Sequence, residues 1–282
     1  MEVVPPELSL FSDKGRRLVT MPYRVFAEEE LGYYHIKERD WTFEEIAARY
    51  NEAGHLGFEV DAGKFKAACT ALERKFLAIG SLSSLFNGVK VPFIIPKIDI
   101  DRDLASSLII DFLDPLEASF RAAFPLAHFK AVMQGGATLE NNLRVTEHSR
   151  YEQLLSAAAH GPVVGWYFPQ ALQQFDTDSQ ARQMQELPTE DGLCLSGPLE
   201  MIHAVMGRPN LLINEDGYAP ILCMSSVRHL DGRLALVLKA YGPHLEFWCL
   251  SQMLAPDVFQ VSEQWAGGIT LYRTYSPADS SR

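Results

Sequence analysis

Ile221-Leu-Cys-Met-Ser-Ser-Val227, Arg233-Leu-Ala-Leu-Val-Leu-Lys-Ala-Tyr241 and Leu245-Glu-Phe-Trp-Cys-Leu250 follow one another in the last third of the chain, separated by His229-Leu-Asp-Gly232 and Gly242-Pro243. Each run has strand length and strand composition, and each interval has turn composition, so the stretch predicts a three-stranded meander. Asp231-Gly232 is expected to supply the positive-φ residue of a tight hairpin. Leu234 to Leu238 are apolar at every position, whereas a strand wetted on one face alternates. That run is therefore expected at the centre of a sheet, with a second layer over each face.

Working outward, the N-terminal side reads as helical. Thr42 and Glu45 have capping-box spacing ahead of Ile46, Ala47 and Tyr50, and Gly54 supplies a stop. Asp61 caps a second helix whose apolar stripe is Phe65, Ala68, Cys69, Leu72 and Phe76. Beyond it, Val89–Ile95 reads as a strand that Pro92 confines to an edge or an end. Helices are expected from Asp103 to Leu113, from a cap at Asp114 through Phe124, and around Tyr151–Ala158. Phe129–Met133 and Val163–Phe168 read as strands, Gly197-Pro198 opens a helix through Met206, and Gly268–Tyr275 is a last strand. The polar segment Gln173–Gly192, with five glutamines and few large apolar residues, reads as a lid, a partner-binding element or a disordered stretch, with room for a short exposed helix at Ser179–Leu187. The expected class is α+β: a helical region over 1–88, then an α+β portion over 89–282 with a mainly antiparallel sheet covered by helices, the two parts also being readable as one continuous domain.

Composition narrows the function classes. With 282 residues the chain buries a sizeable core without disulfides or a structural metal. A formal charge of −11 opposes the phosphate neutralisation that dominates nucleic-acid affinity. Cys69, Cys194, Cys223 and Cys249 are widely spaced in apolar runs, as free thiols are in a reducing cytoplasm. The N-terminus lacks a secretory pattern and no apolar run reaches membrane-spanning length, so a cytoplasmic location is expected.

Chemistry-bearing residues are few. Cys194 and Ser196, between a strand and a helix start, would lie near the positive end of the helix dipole, a position that lowers a thiol pKa. The plainer reading makes Ser196 part of the helix start and Cys194 a core residue. His203 shares an apolar helix face with Leu199, Ile202 and Met206, where a histidine is packed more often than catalytic. No His-Glu-x-x-His spacing or calcium loop is complete: Leu104 and Ile110 stand where such a loop after Asp99 needs glycine and glutamate. No metal or cofactor is expected. The helices at 42–78 invite a helix-turn-helix reading, but the connection is long and the second helix not strongly basic. Trp166, Trp248 and Trp265 are candidates for lining a ligand pocket, Trp265 beside Gly267-Gly268 as its rim.

Several stretches together resemble an uncharacterised bacterial protein family of unknown function: Tyr50-Asn-Glu-Ala-Gly-His-Leu-Gly-Phe58, Lys90-Val-Pro-Phe-Ile-Ile-Pro96, Ser196-Gly-Pro-Leu-Glu200, Met224-Ser-Ser226 and the strand with Trp248. The resemblance spans roughly residues 46–250 and departs at Leu195-Ser-Gly-Pro198, where Pro-Leu-Thr would be expected. It implies one continuous domain and no activity. The leading expectation is a non-catalytic protein that binds a protein partner or small ligand. A hydrolase-like or transferase-like enzyme using Cys194 or Ser196, and a nucleic-acid-binding regulator acting through 42–78, are the alternatives.

Overall fold

Thr42 and Glu45 cap one another as their spacing predicts. Glu45 N–H donates to Thr42 Oγ1 at 3.1 Å, and Thr42 N–H donates to Glu45 Oε2 at 2.9 Å. In the computed structural model, which describes residues 9–19, 34–99, 103–106, 111–214, 217–251, 253–255, 258–259 and 264–276, this box opens α1 (Phe43–Ala53) and Gly54 closes it at φ +65°. Asp61 opens α2 (Ala62–Leu77) by accepting from Lys64 N–H at 2.8 Å. Phe65, Cys69, Leu72 and Phe76 form its buried face. Replacing Thr42 by Ala removes one capping acceptor and is expected to cost about 1 kcal/mol. Urea unfolding measures this, and an unchanged midpoint would show that the box contributes nothing.

The chain continues through β1 (Val91–Ile95), α3 (Leu104–Ser106), α4 (Asp114–Ala123), β2 (Phe129–Met133), β3 (Leu143–Val145), α5 (Tyr151–His160) and β4 (Val163–Phe168). Then come α6 (Thr177–Glu186), β5 (Leu193–Leu195), α7 (Pro198–Gly207), β6 (Ile221–Cys223), β7 (Val227–His229), β8 (Leu234–Tyr241) and β9 (His244–Ser251). The small hairpin β10 (Met253–Ala255) and β11 (Val258–Phe259) precedes β12 (Trp265–Gly267) and β13 (Ile269–Thr274). The fold is α+β.

Two sheets carry it. The first is antiparallel throughout, in the order β1-β4-β13-β5. β1 is an edge, as Pro92 requires. All six residues of β4 are buried, because helices cover both faces. Trp166 Nε1 donates to the Cys69 carbonyl of α2 at 3.0 Å. Thr270 stands on the opposite face and bonds Glu200 of α7. The second sheet runs β12-β6-β8-β9-β2, with β8 at its centre. β12 and β13 are one run of chain that passes from the second sheet to the first at Gly268. One buried core extends from Phe11 through α1 and α2 to Tyr275, so the N-terminal helices pack on the sheets that follow. No helix among the described residues is long and apolar enough to cross a membrane.

The meander differs from expectation in three respects. Its first run splits at Met224-Ser-Ser226, where Ser226 N–H bonds the Ser196 carbonyl and Thr146 N–H bonds the Ser226 carbonyl, so β7 leaves the sheet and pairs with β3. The turn at Asp231-Gly232 needs no positive φ. Asp231 holds it instead, accepting from Arg233 N–H at 3.1 Å and Arg233 Nε at 2.9 Å. Positive φ appears in the next turn, at Gly242 (+57°), where Pro243 demands the hairpin type with that angle in its first position.

The cover of β8 is also uneven. Leu236 and Leu238 enter the main core, whereas Val237 lies in a small cluster with Cys223 and Trp265, flanked by half-buried Trp248. Among the described residues, the apolar side chains of that outer cluster all come from the sheet itself. Elsewhere, Asp114 does not cap: α4 follows directly on residues 111–113, and Leu113 occupies its N-cap position. Residues 107–110 of the helix expected at Asp103–Leu113 lie outside the described residues.

Gln173–Gly192 is the largest departure. Its helix is α6, opened by Asp176, which accepts from Ser179 N–H at 2.8 Å. Gln173, Gln180 and Gln183 are buried rather than displayed. Gln180 Nε2 donates to the Phe175 carbonyl at 2.8 Å, its Oε1 accepts from Ser225, and Gln170 and Gln173 bond each other. Neighbouring carbonyls and hydroxyls satisfy Gln173 and Gln180 in the interior, whereas the Gln183 amide is buried without a partner among the described residues.

Candidate functional site

Leu193-Cys-Leu-Ser-Gly-Pro-Leu-Glu200, the segment singled out for its strand-to-helix geometry, forms a closed polar knot in the interior. Pro198 stands in the first turn of α7, where its missing N–H costs nothing. Glu200, two residues on, reaches back to the helix entrance: its Oε1 accepts from Gly197 N–H at 2.6 Å and from Thr270 Oγ1 at 2.9 Å. Its Oε2 accepts from the Tyr151 hydroxyl at 3.0 Å, and that hydroxyl accepts from Leu199 N–H at 3.0 Å. Glu200, Tyr151, Thr270 and Ser196 are all fully buried. Burial pushes the Glu200 carboxyl up to about 7, against the opposing pull of the Gly197 N–H, Thr270 and Tyr151.

This network decides what Ser196 does. When Glu200 is ionised, Thr270 gives it its one hydroxyl proton, so across the 2.7 Å Ser196–Thr270 contact Ser196 is then the donor. Ser196 therefore touches a threonine hydroxyl and not a base: the Glu200 carboxylate stands one hydroxyl further on, and all three groups are sealed in the interior. Cys194 is likewise fully buried, on β5. Burial drives its thiol well above the ordinary range, Glu200 adds to that, and Arg150 opposes it. The lowered thiol pKa expected from the helix dipole is therefore not found: desolvation and the neighbouring carboxylate outweigh the dipole.

Because all four cysteines are buried, the native protein should react with an aromatic disulfide reagent at a small fraction of the rate of its denatured form. Fast stoichiometric labelling of Cys194 would contradict this placement.

His203 occupies α7 with its Nδ1 2.7 Å from the Leu199 carbonyl, which fixes the proton on Nδ1. Its Nε2 is buried without a partner among the described residues. The ring packs 5.1 Å from Phe112 and 5.2 Å from His55. Burial, then proximity to His55, lowers its pKa to about 3, and burial lowers that of His55 to about 4, so both rings are neutral at pH 7. No hydrogen bond among the described residues joins His203 to Cys194 or Ser196, so the structure does not bring those three candidates into one constellation.

The three tryptophans divide between the sheets. Trp166 is buried beside α2, with Lys90 Nζ 4.9 Å from its ring centroid. Trp265 is buried in β12, and its Nε1 has no partner among the described residues. Only 4% of its surface is exposed among the described residues, where a pocket rim was expected. A Cβ on Gly267 would collide with Gln180, and one on Gly268 would lie 2.7 Å from Ser196 Oγ, so these glycines serve close packing in the interior. Trp248 is half-buried on the same outer sheet face as Trp265. Its Nε1 donates to Glu246 at 2.7 Å and Lys239 Nζ stands 4.3 Å from its ring centroid. Glu200, Tyr151 and Thr270 escaped sequence reasoning. Gly-Pro-x-Glu at a helix start was the one available signal, since it places a carboxylate three residues past the cap.

Among the described residues no group of three histidine, cysteine or carboxylate side chains is placed to hold a metal ion. Compared with known proteins, the chain matches no family model, no curated protein and no solved structure.

Proposed function

We propose that this chain is a cytoplasmic interaction protein that recognises a protein partner or small ligand and carries out no chemistry on it. The observation that supports this reading best is the commitment of Ser196. The hydroxyl standing where a nucleophile would be expected is wholly buried and hydrogen-bonded into the Thr270–Glu200 network, and the neighbouring Cys194 thiol is held protonated. Both groups contribute to the junction of β5, α7 and β13.

Native mass spectrometry of the full chain purified from its own cells tests the reading. A companion and stoichiometry shared by the wild type, Cys194→Ala and Ser196→Ala are expected. A turnover that disappears in either variant while the fold persists would contradict it and restore the enzyme reading.

A further inference from the structure

β5 and β13 differ in length, and the mismatch leaves a gap at the edge of the first sheet. β13 pairs with β4 along Ile269–Thr274 but with β5 only along Ile269–Leu271. Tyr272 N–H makes one further bond to the Gly192 carbonyl, at 2.7 Å. There the neighbouring chain turns away, with Gly192 at φ +88°, a left-handed value natural to glycine. α2 walls the gap with Ala71, Leu72 and Lys75, and α5 contributes Ala157. The resulting groove of about 560 Å³ falls within the size range of small-molecule sites.

Its charge runs against that of the molecule. The chain carries −11 overall, yet the groove is lined by two cations, Lys75 and Arg273, and one carboxylate, Asp191. Lys75 Nζ donates to the Asp191 backbone carbonyl at 2.6 Å, a neutral acceptor, and stands 5.0 Å from the Phe76 ring centroid; among the described residues it forms no ion pair. Arg273 is exposed, and its guanidinium has neither hydrogen bond nor ion pair among the described residues. An unpaired guanidinium presents a planar fork suited to a carboxylate or phosphate.

We propose that this gap binds a small organic anion bearing a doubly charged head, with Arg273 taking the head, Lys75 adding the second positive charge, and the organic body lying against Ala71, Leu72 and Ala157. The proposal rests on the interaction reading above and names its ligand class.

Isothermal titration of the full chain with phenyl phosphate and, separately, phthalate tests it, with hydrogen-exchange mass spectrometry locating the site. One-site binding below about 1 mM is expected for at least one probe. The same probe should bind at least tenfold more weakly to Arg273→Met and to Lys75→Met, and more weakly as salt rises. Protection should fall on peptides covering residues 71–75, 190–193 and 272–275. The stronger probe tells phosphate from carboxylate. Both side chains are exposed, so the variants should fold; if Lys75→Met is unstable for want of its bond to Asp191, Arg273→Met decides alone. Absence of binding by both probes at about 10 mM, equal binding by Arg273→Met, or protection elsewhere overturns the proposal. None of these outcomes bears on a partner found by native mass spectrometry, which tests the broader reading separately.

Discussion

Glu200→Ala should unfold this protein or bring it to the edge of unfolding. The substitution strips the acceptor from Gly197 N–H, Thr270 Oγ1 and the Tyr151 hydroxyl at once, in a place water does not reach. Buried polar groups left without partners cost about 1–3 kcal/mol each, so a loss on the order of 4 kcal/mol or more is expected in chemical denaturation. Glu200→Gln keeps a carbonyl oxygen for Gly197 and Thr270 and should lose much less. It should also remove a pH dependence. The Glu200 carboxyl rises from an ordinary 4.5 to about 7 on folding, through burial. Between those values the native state holds a proton that the unfolded chain has released, so the group's contribution to stability is complete below pH 4.5 and is lost as pH rises through 7. That displacement is worth roughly 3 kcal/mol. The facing groups Tyr151, Tyr167 and Cys194 all have raised pKa values and stay neutral throughout this window. Wild-type stability minus that of Glu200→Gln should therefore fall between pH 4.5 and 7.5; a flat or rising difference would contradict the assignment.

Gly165→Ala should also be strongly destabilising, for a reason of shape. Gly165 lies mid-strand in β4, opposite Phe93 on one side and Tyr272 on the other. A Cβ there would collide with the Leu271 carbonyl oxygen and lie 2.6 Å from the Phe93 ring. The ring can move; the carbonyl belongs to a paired central strand. Overpacking of a core costs about 1–3 kcal/mol, and more where backbone must shift, so a fall in melting temperature of roughly 6 °C or more is expected. Adding Phe93→Leu should recover only part of the loss, because the clash with Leu271 remains. A single variant melting within a degree or two of the wild type would show that β4 leaves room for a methyl group between Phe93 and Leu271.

Elements whose instructions are local were legible in the sequence. Thr42, Glu45 and Gly54 bound α1, Asp61 starts α2, Pro92 puts β1 on an edge, and Leu234–Leu238 make β8 central. Features decided by distant partners were not. The break at Ser225-Ser226 depends on Ser196, Thr146 and Gln180, all remote along the chain. The interior position of Gln173 and Gln180 depends on hydroxyl and carbonyl partners that no spacing reveals. For Cys194 the environment reverses the inference: a helix entrance was visible in Gly197-Pro198, whereas the burial that raises the thiol pKa was not. The groove at Gly192 comes from unequal strand lengths, and nothing in residues 193–195 or 269–274 alone announces it.

Native-state amide exchange at Gly197 and Leu199 tests the central claim, that the junction of β5 and α7 is sealed structure and not a working site. Their N–H groups bond Glu200 and Tyr151 inside the protein, so both should exchange only with global unfolding, at the slowest rates in the molecule. Exchange through small local openings, with a free energy well below that of global unfolding, would mean that solvent and substrate reach Ser196, and the junction could not be called sealed.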